Sequence, residues 1–202
     1  KDDFRFLARG LVPAGGVLVV VNYALIPSVN LDELVRQCRA AVAWTHGNAA
    51  TFGGDRECIF VSGHSAGGHL TAMMMATDWP AFGAGLPPDL VKGGCAISGI
   101  YDLEPIQLTF MQEILGFTPE QVARNSPLSL SPATEAPLIV AVGGDESEEF
   151  LRQSEELTSA WGNHAQCDLM VLSGVNHFTI LGGFADPENA LMRAALKQMG
   201  LG

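Results

Sequence analysis

Five residues, Gly63-His64-Ser65-Ala66-Gly67, constrain this chain more than any other stretch. They follow Cys58-Ile59-Phe60-Val61-Ser62, an apolar run that reads as a buried strand, and precede Gly68 to Ala76, which reads as a helix. A G-x-S-x-G turn between strand and helix reverses the chain so tightly that the serine takes a strained backbone conformation. Small neighbours let the chain turn without a side-chain clash. The pattern predicts a Ser65 hydroxyl standing proud of a sheet, at the positive end of a helix, placed for attack on an acyl carbon. The competing reading is a glycine-rich connection with no chemistry.

The rest of the chain alternates helix and strand. Asp2 to Val12 reads as helical, and Val17 to Tyr23 as a strand apolar on both faces. Leu31 to His46 has the spacing of an amphipathic helix. After Trp79 to Pro88, a loop rich in Gly and Pro, further strands are expected at Gly93 to Ile97, Leu138 to Val142 and Cys167 to Leu172. Helices are expected at Glu148 to Trp161 and Asn189 to Met199. Leu103 to Pro132 carries short helical pieces broken by prolines and reads as an insertion that covers the site, near 103–132 of a single domain spanning 1–202. The alternation predicts an α/β fold: a mostly parallel sheet with helices on both faces. In such sheets reactive groups collect on loops after the carboxyl ends of strands.

That rule locates partners for Ser65. A serine hydroxyl needs a base within hydrogen-bond reach, and the base needs an orienting carboxylate. Asp145 is the first acid after the strand 138–142, following Gly143-Gly144; Glu146 and Glu148 are near substitutes. His177 lies just past the strand 167–172. The order Ser65, Asp145, His177 gives a nucleophile, an acid and a base, each after a strand end. Asp102, after another strand, is the main competitor for the acid. Rival readings are a helix-capping or solvated Asp145 and a structural His177. His64 and His69, five residues apart, do not share a helix face as a metal pair would, so no metal and no organic cofactor are expected. Met73-Met74-Met75 reads as core packing, with one methionine available to line an acyl pocket.

Charge excludes other classes. The net charge is −11, with only 11 scattered Lys and Arg, so a nucleic-acid partner is not expected. No apolar run is long enough to cross a bilayer, and no secretory signal opens the chain. Cys38, Cys58, Cys95 and Cys167 lack C-x-x-C spacing and read as buried free thiols, which fits a cytoplasmic location.

Gly63 to Leu70 resembles the serine turn of the kynurenine formamidase-like α/β-hydrolases, a family that overlaps with bacterial carboxylesterases. The resemblance continues in Ala96 to Pro105, Asn125-Ser126-Pro127-Leu128, Val142 to Ser147 and Asn176-His177-Phe178. It implies an α/β-hydrolase fold and a serine hydrolase acting on a small acyl substrate, an aryl formamide such as N-formylkynurenine or a short ester. It also implies an Ala66 backbone N–H donating to the oxyanion, with a homodimer as a further possibility. Phe110, Phe117 and Phe178 could offer aromatic surface or pack in the core. A general carboxylesterase, an acyltransferase and a non-catalytic binding domain remain alternatives. One departure stands out: the family's His-Gly-Gly segment occurs nowhere in the 202 residues. That favours further residues before Lys1. The family also places a strand between the Val17 strand and the Cys58 strand, so a gap is expected there.

Overall fold

The computed structural model describes residues 2–202. A 3-10 turn over Asp2–Leu7 runs into helix α1, Ala8–Leu11, close to the expected helix. Helix α2, Leu31–Asn48, starts at Asn30, whose side chain accepts the Glu33 N–H, and buries Leu31, Leu34, Val35, Cys38 and Val42. Strand β1 is Phe60–His64 and helix α3 is Ala66–Met75, with the short helix α4 at Trp79–Phe82 inside the expected loop. Strand β2 is Gly93–Ile97. The 104–129 segment holds α5 at Glu104–Gln107, α6 at Gln112–Leu115 and α7 at Pro119–Asn125. Then come β3 at Leu138–Gly143, α8 at Glu148–Trp161, β4 at Cys167–Leu172 and α9 at Ala190–Gln198.

Among the described residues the strands form one parallel sheet in the order β1-β2-β3-β4. One face packs against α2, α3, α8 and the 104–129 segment, around Val35, Met73, Met75, Trp79, Val140, Leu157 and Trp161. The other packs against α1, α9 and the turn Ile180–Ala185, around Ile97, Ala141, Leu191 and Met192. Every residue of β2 and β3 is buried, as expected of strands covered on both faces.

Two expectations need correction. The strand before the serine turn begins at Phe60, not Cys58, and runs through Gly63-His64; Cys58 is exposed in the preceding turn. Val17 to Tyr23 has no regular secondary structure and pairs with no strand among the described residues. Its sequence favours a strand, yet a strand exists only where a neighbour supplies backbone partners. A crevice of about 800 Å³ is lined by Val17–Val21, β1, Leu70 and Met74, together with Ser65 and Ala66. β1 is an edge strand among the described residues, with no strand on its side away from β2.

The 104–129 segment is tied to the body at several points. Arg124 and Asn125 donate to the Asp32 carboxylate on α2, and the buried His69 Nε2–H donates to the Asn125 carbonyl at 2.7 Å. Phe117 is in the core, whereas Leu108, Phe110 and Ile114 point outward.

Candidate active site

Ser65 sits between β1 and α3 with φ 58° and ψ −116°, a strained conformation for a residue with a side chain. The surrounding glycines explain how the chain tolerates it. A Cβ at Gly63 would lie 2.4 Å from the Gly67 carbonyl oxygen, and one at Gly68 would lie 2.7 Å from Gly99 Cα. Neither position can carry a side chain without moving backbone. Gly67 has open space where a Cβ would go, so the tight contacts fall on Gly63 and Gly68. The Ser65 N–H donates to the Ile97 carbonyl, locking the turn to β2. The Ala66 N–H opens α3 and has no acceptor inside the helix.

The His177 ring reaches Ser65 from the loop after β4. Its Nε2 lies 3.1 Å from Ser65 Oγ and accepts the hydroxyl proton. Its Nδ1 lies 2.8 Å from Glu146 Oε2. A carboxylate only accepts, so Nδ1 carries the proton and Nε2 is free to act as a base. The Glu146 side chain is 1% exposed and that of His177 is 21% exposed, so the hydrogen bond between them is shielded from water while the ring's outer side stays reachable. Glu146 Oε1 takes two further donors, Ser98 Oγ at 2.5 Å and the Gly143 N–H at 2.7 Å. Ser98 is fully buried with φ 48°, a second strained residue at a strand end.

The carboxylate that meets His177 is Glu146, whereas Asp145 was the expected one. Asp145 is exposed, and its backbone N–H donates to the Val175 carbonyl at 3.0 Å. That bond fixes the turn after β3 with the Asp145 side chain facing away from the ring. Glu146, one residue on and one methylene longer, folds back under the turn onto Gly143 and His177. Asp102 is also elsewhere: its carboxylate accepts the Glu104 N–H, and Gln153 accepts the N–H groups of Tyr101 and Asp102. Glu148 lies in the exposed first turn of α8. Sequence reasoning singled out neither Ser98 nor the contact of His64, whose Nε2 lies 2.7 Å from the His177 carbonyl oxygen. A serine directly after a buried strand was the available signal for the first.

Aromatic rings crowd the base. Phe150 lies 4.5 Å from the His177 ring centroid, and Phe178, 85% exposed, meets it edge-on at 5.6 Å. Among the described residues no cluster of His, Cys, Asp and Glu could hold a metal ion. No helix is long and apolar enough to cross a membrane.

Known proteins share this arrangement of sequence and fold. A family model described as BD-FAE matches residues 2–82. Kynurenine formamidase of Danio rerio is 35% identical over 207 residues, which covers 99% of this chain and 68% of that protein. Esterase LipC of Mycobacterium tuberculosis is 35% identical over 50% of this chain and 25% of its own length. Among solved structures, an esterase of Pyrobaculum calidifontis superimposes with a TM-score of 0.77 at 19% identity, covering 99% of this chain and 70% of that one. A solved structure from Silicibacter sp. TM1040 gives a TM-score of 0.79 at 30% identity, covering 93% of this chain and 67% of that one. Whole-chain identity to a formamidase, joined to an esterase fold, places the sequence: the chain belongs to the kynurenine formamidase family of α/β-hydrolases.

Proposed function

We propose that this protein hydrolyses an aryl formamide through an acyl-enzyme on Ser65, with His177 as base and Glu146 as the acid that orients it. The observation that carries the reading is the unbroken hydrogen-bond path Ser65 Oγ to His177 Nε2, His177 Nδ1 to Glu146 Oε2. Ser65 Oγ attacks the formyl carbon while His177 takes its proton. The Ala66 N–H donates to the oxyanion that forms. The tetrahedral intermediate collapses, His177 Nε2–H protonates the leaving nitrogen, and the arylamine departs. Water, deprotonated by His177, then attacks the formyl-serine and releases formate. Glu146 holds the Nδ1–H tautomer throughout and stabilises the imidazolium.

Two features support an aryl formamide over a general ester. The identity to kynurenine formamidases runs the length of the chain, while that to LipC covers half of it. Phe178 also presents an exposed ring beside the base, where an aryl group can stack. The four cysteines are free and fit a reducing compartment such as the cytoplasm.

The test compares N-formylkynurenine with p-nitrophenyl acetate, using wild type and Ser65→Ala. Cleavage of both by wild type, with the formamide preferred, and loss of both in Ser65→Ala is the expected result. An untouched formamide beside a fast ester would leave a carboxylesterase. Fluorophosphonate labelling of Ser65→Ala would assign the nucleophile to another residue.

A further inference from the structure

His64 is the last residue of β1 and the immediate neighbour of the nucleophile. Its ring is partly buried, 4.6 Å from the His177 ring centroid and tilted 43° to it. The two rings do not hydrogen-bond through their nitrogens. Instead His64 Nε2 meets the backbone carbonyl of His177 at 2.7 Å. A carbonyl only accepts, so His64 is the donor and carries its proton on Nε2.

This bond differs in kind from the other ties of the 173–179 loop. Thr179 and Ile180 bond back to Asn176 and close the turn on itself, while Asp145 ties Val175 to the end of β3. His64 ties residue 177 itself to the strand that carries the nucleophile. The bonds form a closed circuit: Ser65, its peptide link to His64, the His64 ring, the His177 carbonyl, the His177 side chain, and back to Ser65 Oγ. In such a circuit the separation of base and nucleophile is set locally, over few rotatable bonds.

We infer that His64 is a positioning residue for the hydrolysis: by donating Nε2–H to the His177 carbonyl it fixes the base at hydrogen-bond distance from Ser65. The assignment rests on the Ser65–His177–Glu146 reading. A neutral His64 suits the role, because a cation there would oppose the imidazolium that forms at His177. Burial lowers its pKa, and a positive charge on His177, once formed, acts in the same direction; the bond to the His177 carbonyl and the Glu146 carboxylate act against it.

Three substitutions separate this role from packing. His64→Gln keeps an amide donor near the position of Nε2. His64→Asn has the same amide one methylene too short, and His64→Phe fills the space with no donor. Displacing a reacting group by about 1 Å typically costs on the order of 100-fold, so Asn and Phe should lower kcat by about that much, with little change in KM. Gln should recover most of the loss. The downfield Nδ1 proton resonance of His177, which reports its bond to Glu146, should weaken in Asn and Phe and persist in Gln. That signal needs no turnover, and the Asn–Gln pair supplies the comparison if Phe does not fold. Wild-type kcat in His64→Asn, or Gln impaired as badly as Asn with the resonance unchanged across both, would overturn the inference. Ser65→Ala and His177→Ala distinguish the two levels: if both stay active, the triad reading fails; if both are dead while His64→Asn is not, only the role of His64 fails.

Discussion

The two sides of β1 are made from similar sequence and reach different states. On one side β2 and β3, Gly93–Ile97 and Leu138–Gly143, are buried at every position and laddered to neighbours on both edges. On the other, Val17 to Val21 is as apolar and more β-branched, yet lines a crevice without regular secondary structure, with Val17 and Val19 exposed. β1 stands at the boundary, only partly buried along its length. The difference shows what a strand is: a hydrophobic, branched run supplies the propensity, and the ladder supplies the structure. It also divides the site. His177, Glu146 and Ser98 all come from the enclosed side, where loops leave laddered strand ends; Ser65 and Ala66 face the open one.

The largest expected effect tests whether the enclosed side holds the acid as described. Glu146→Gln leaves the buried shape nearly intact but cannot hold His177 in the productive tautomer. Loss of turnover on the order of 10,000-fold is expected, as when the acid of a serine triad becomes an amide. Asp145→Asn, on the outside of the same turn, should leave turnover close to wild type. Steady-state kinetics with N-formylkynurenine or p-nitrophenyl acetate measure both. The reverse ranking would mean that the turn after β3 rearranges in solution and presents Asp145.

The enclosed side was legible in the sequence almost to the residue. β2, β4 and α8 fall at Gly93–Ile97, Cys167–Leu172 and Glu148–Trp161 as expected, because apolar runs bounded by Gly, Pro or acidic turns mark strands and their helices. The meeting of Ser65 and His177 was legible too, since a strained turn and a strand end limit where such residues can lie. The carboxylate beside His177 was not. Asp145 and Glu146 are adjacent acids after one strand, and a backbone bond from Asp145 to Val175 decides between them. That is a tertiary contact with no local signature. The open side failed for the complementary reason: the Val17 run carries the full propensity of a strand and nothing in it shows whether a neighbour is there.

A buried histidine gives the enclosed side a second signature. His69 on α3 is fully buried against the 104–129 segment, and burial pushes its pKa from 6.5 down to about 4, with the bond to the Asn125 carbonyl partly opposing. Above pH 6.5 His69 is neutral folded or unfolded and makes no pH-dependent contribution. As pH falls from 6.5 to 4 the unfolded chain binds a proton that the folded one refuses, so stability falls. The shift corresponds to about 3 kcal/mol at full extent. His69→Gln retains a donor for Asn125 and removes the titration. Urea unfolding at pH 7 and pH 4.5 should show a smaller acid loss in the variant than in wild type. Equal losses would mean that water reaches His69 between α3 and α7.

The smallest effect is the most direct trial of the comparison, because it makes one chemical change on each side. Val140, at the centre of β3, is 0% exposed; Val19, at the centre of the Val17–Val21 run, is 39% exposed. Val140→Ala removes two methyl groups from a site packed on both faces, where little can collapse to refill the space. A loss of about 2 kcal/mol is expected from transfer and cavity terms together. Val19→Ala removes the same groups from a half-wetted wall with no ladder to weaken, so its loss should stay within about 0.5 kcal/mol. Chemical denaturation of the two variants measures both on one scale. A Val19→Ala loss approaching that of Val140→Ala would show that the Val17–Val21 run is covered in solution, and the contrast between the two sides of β1 would then be one of partner rather than of burial.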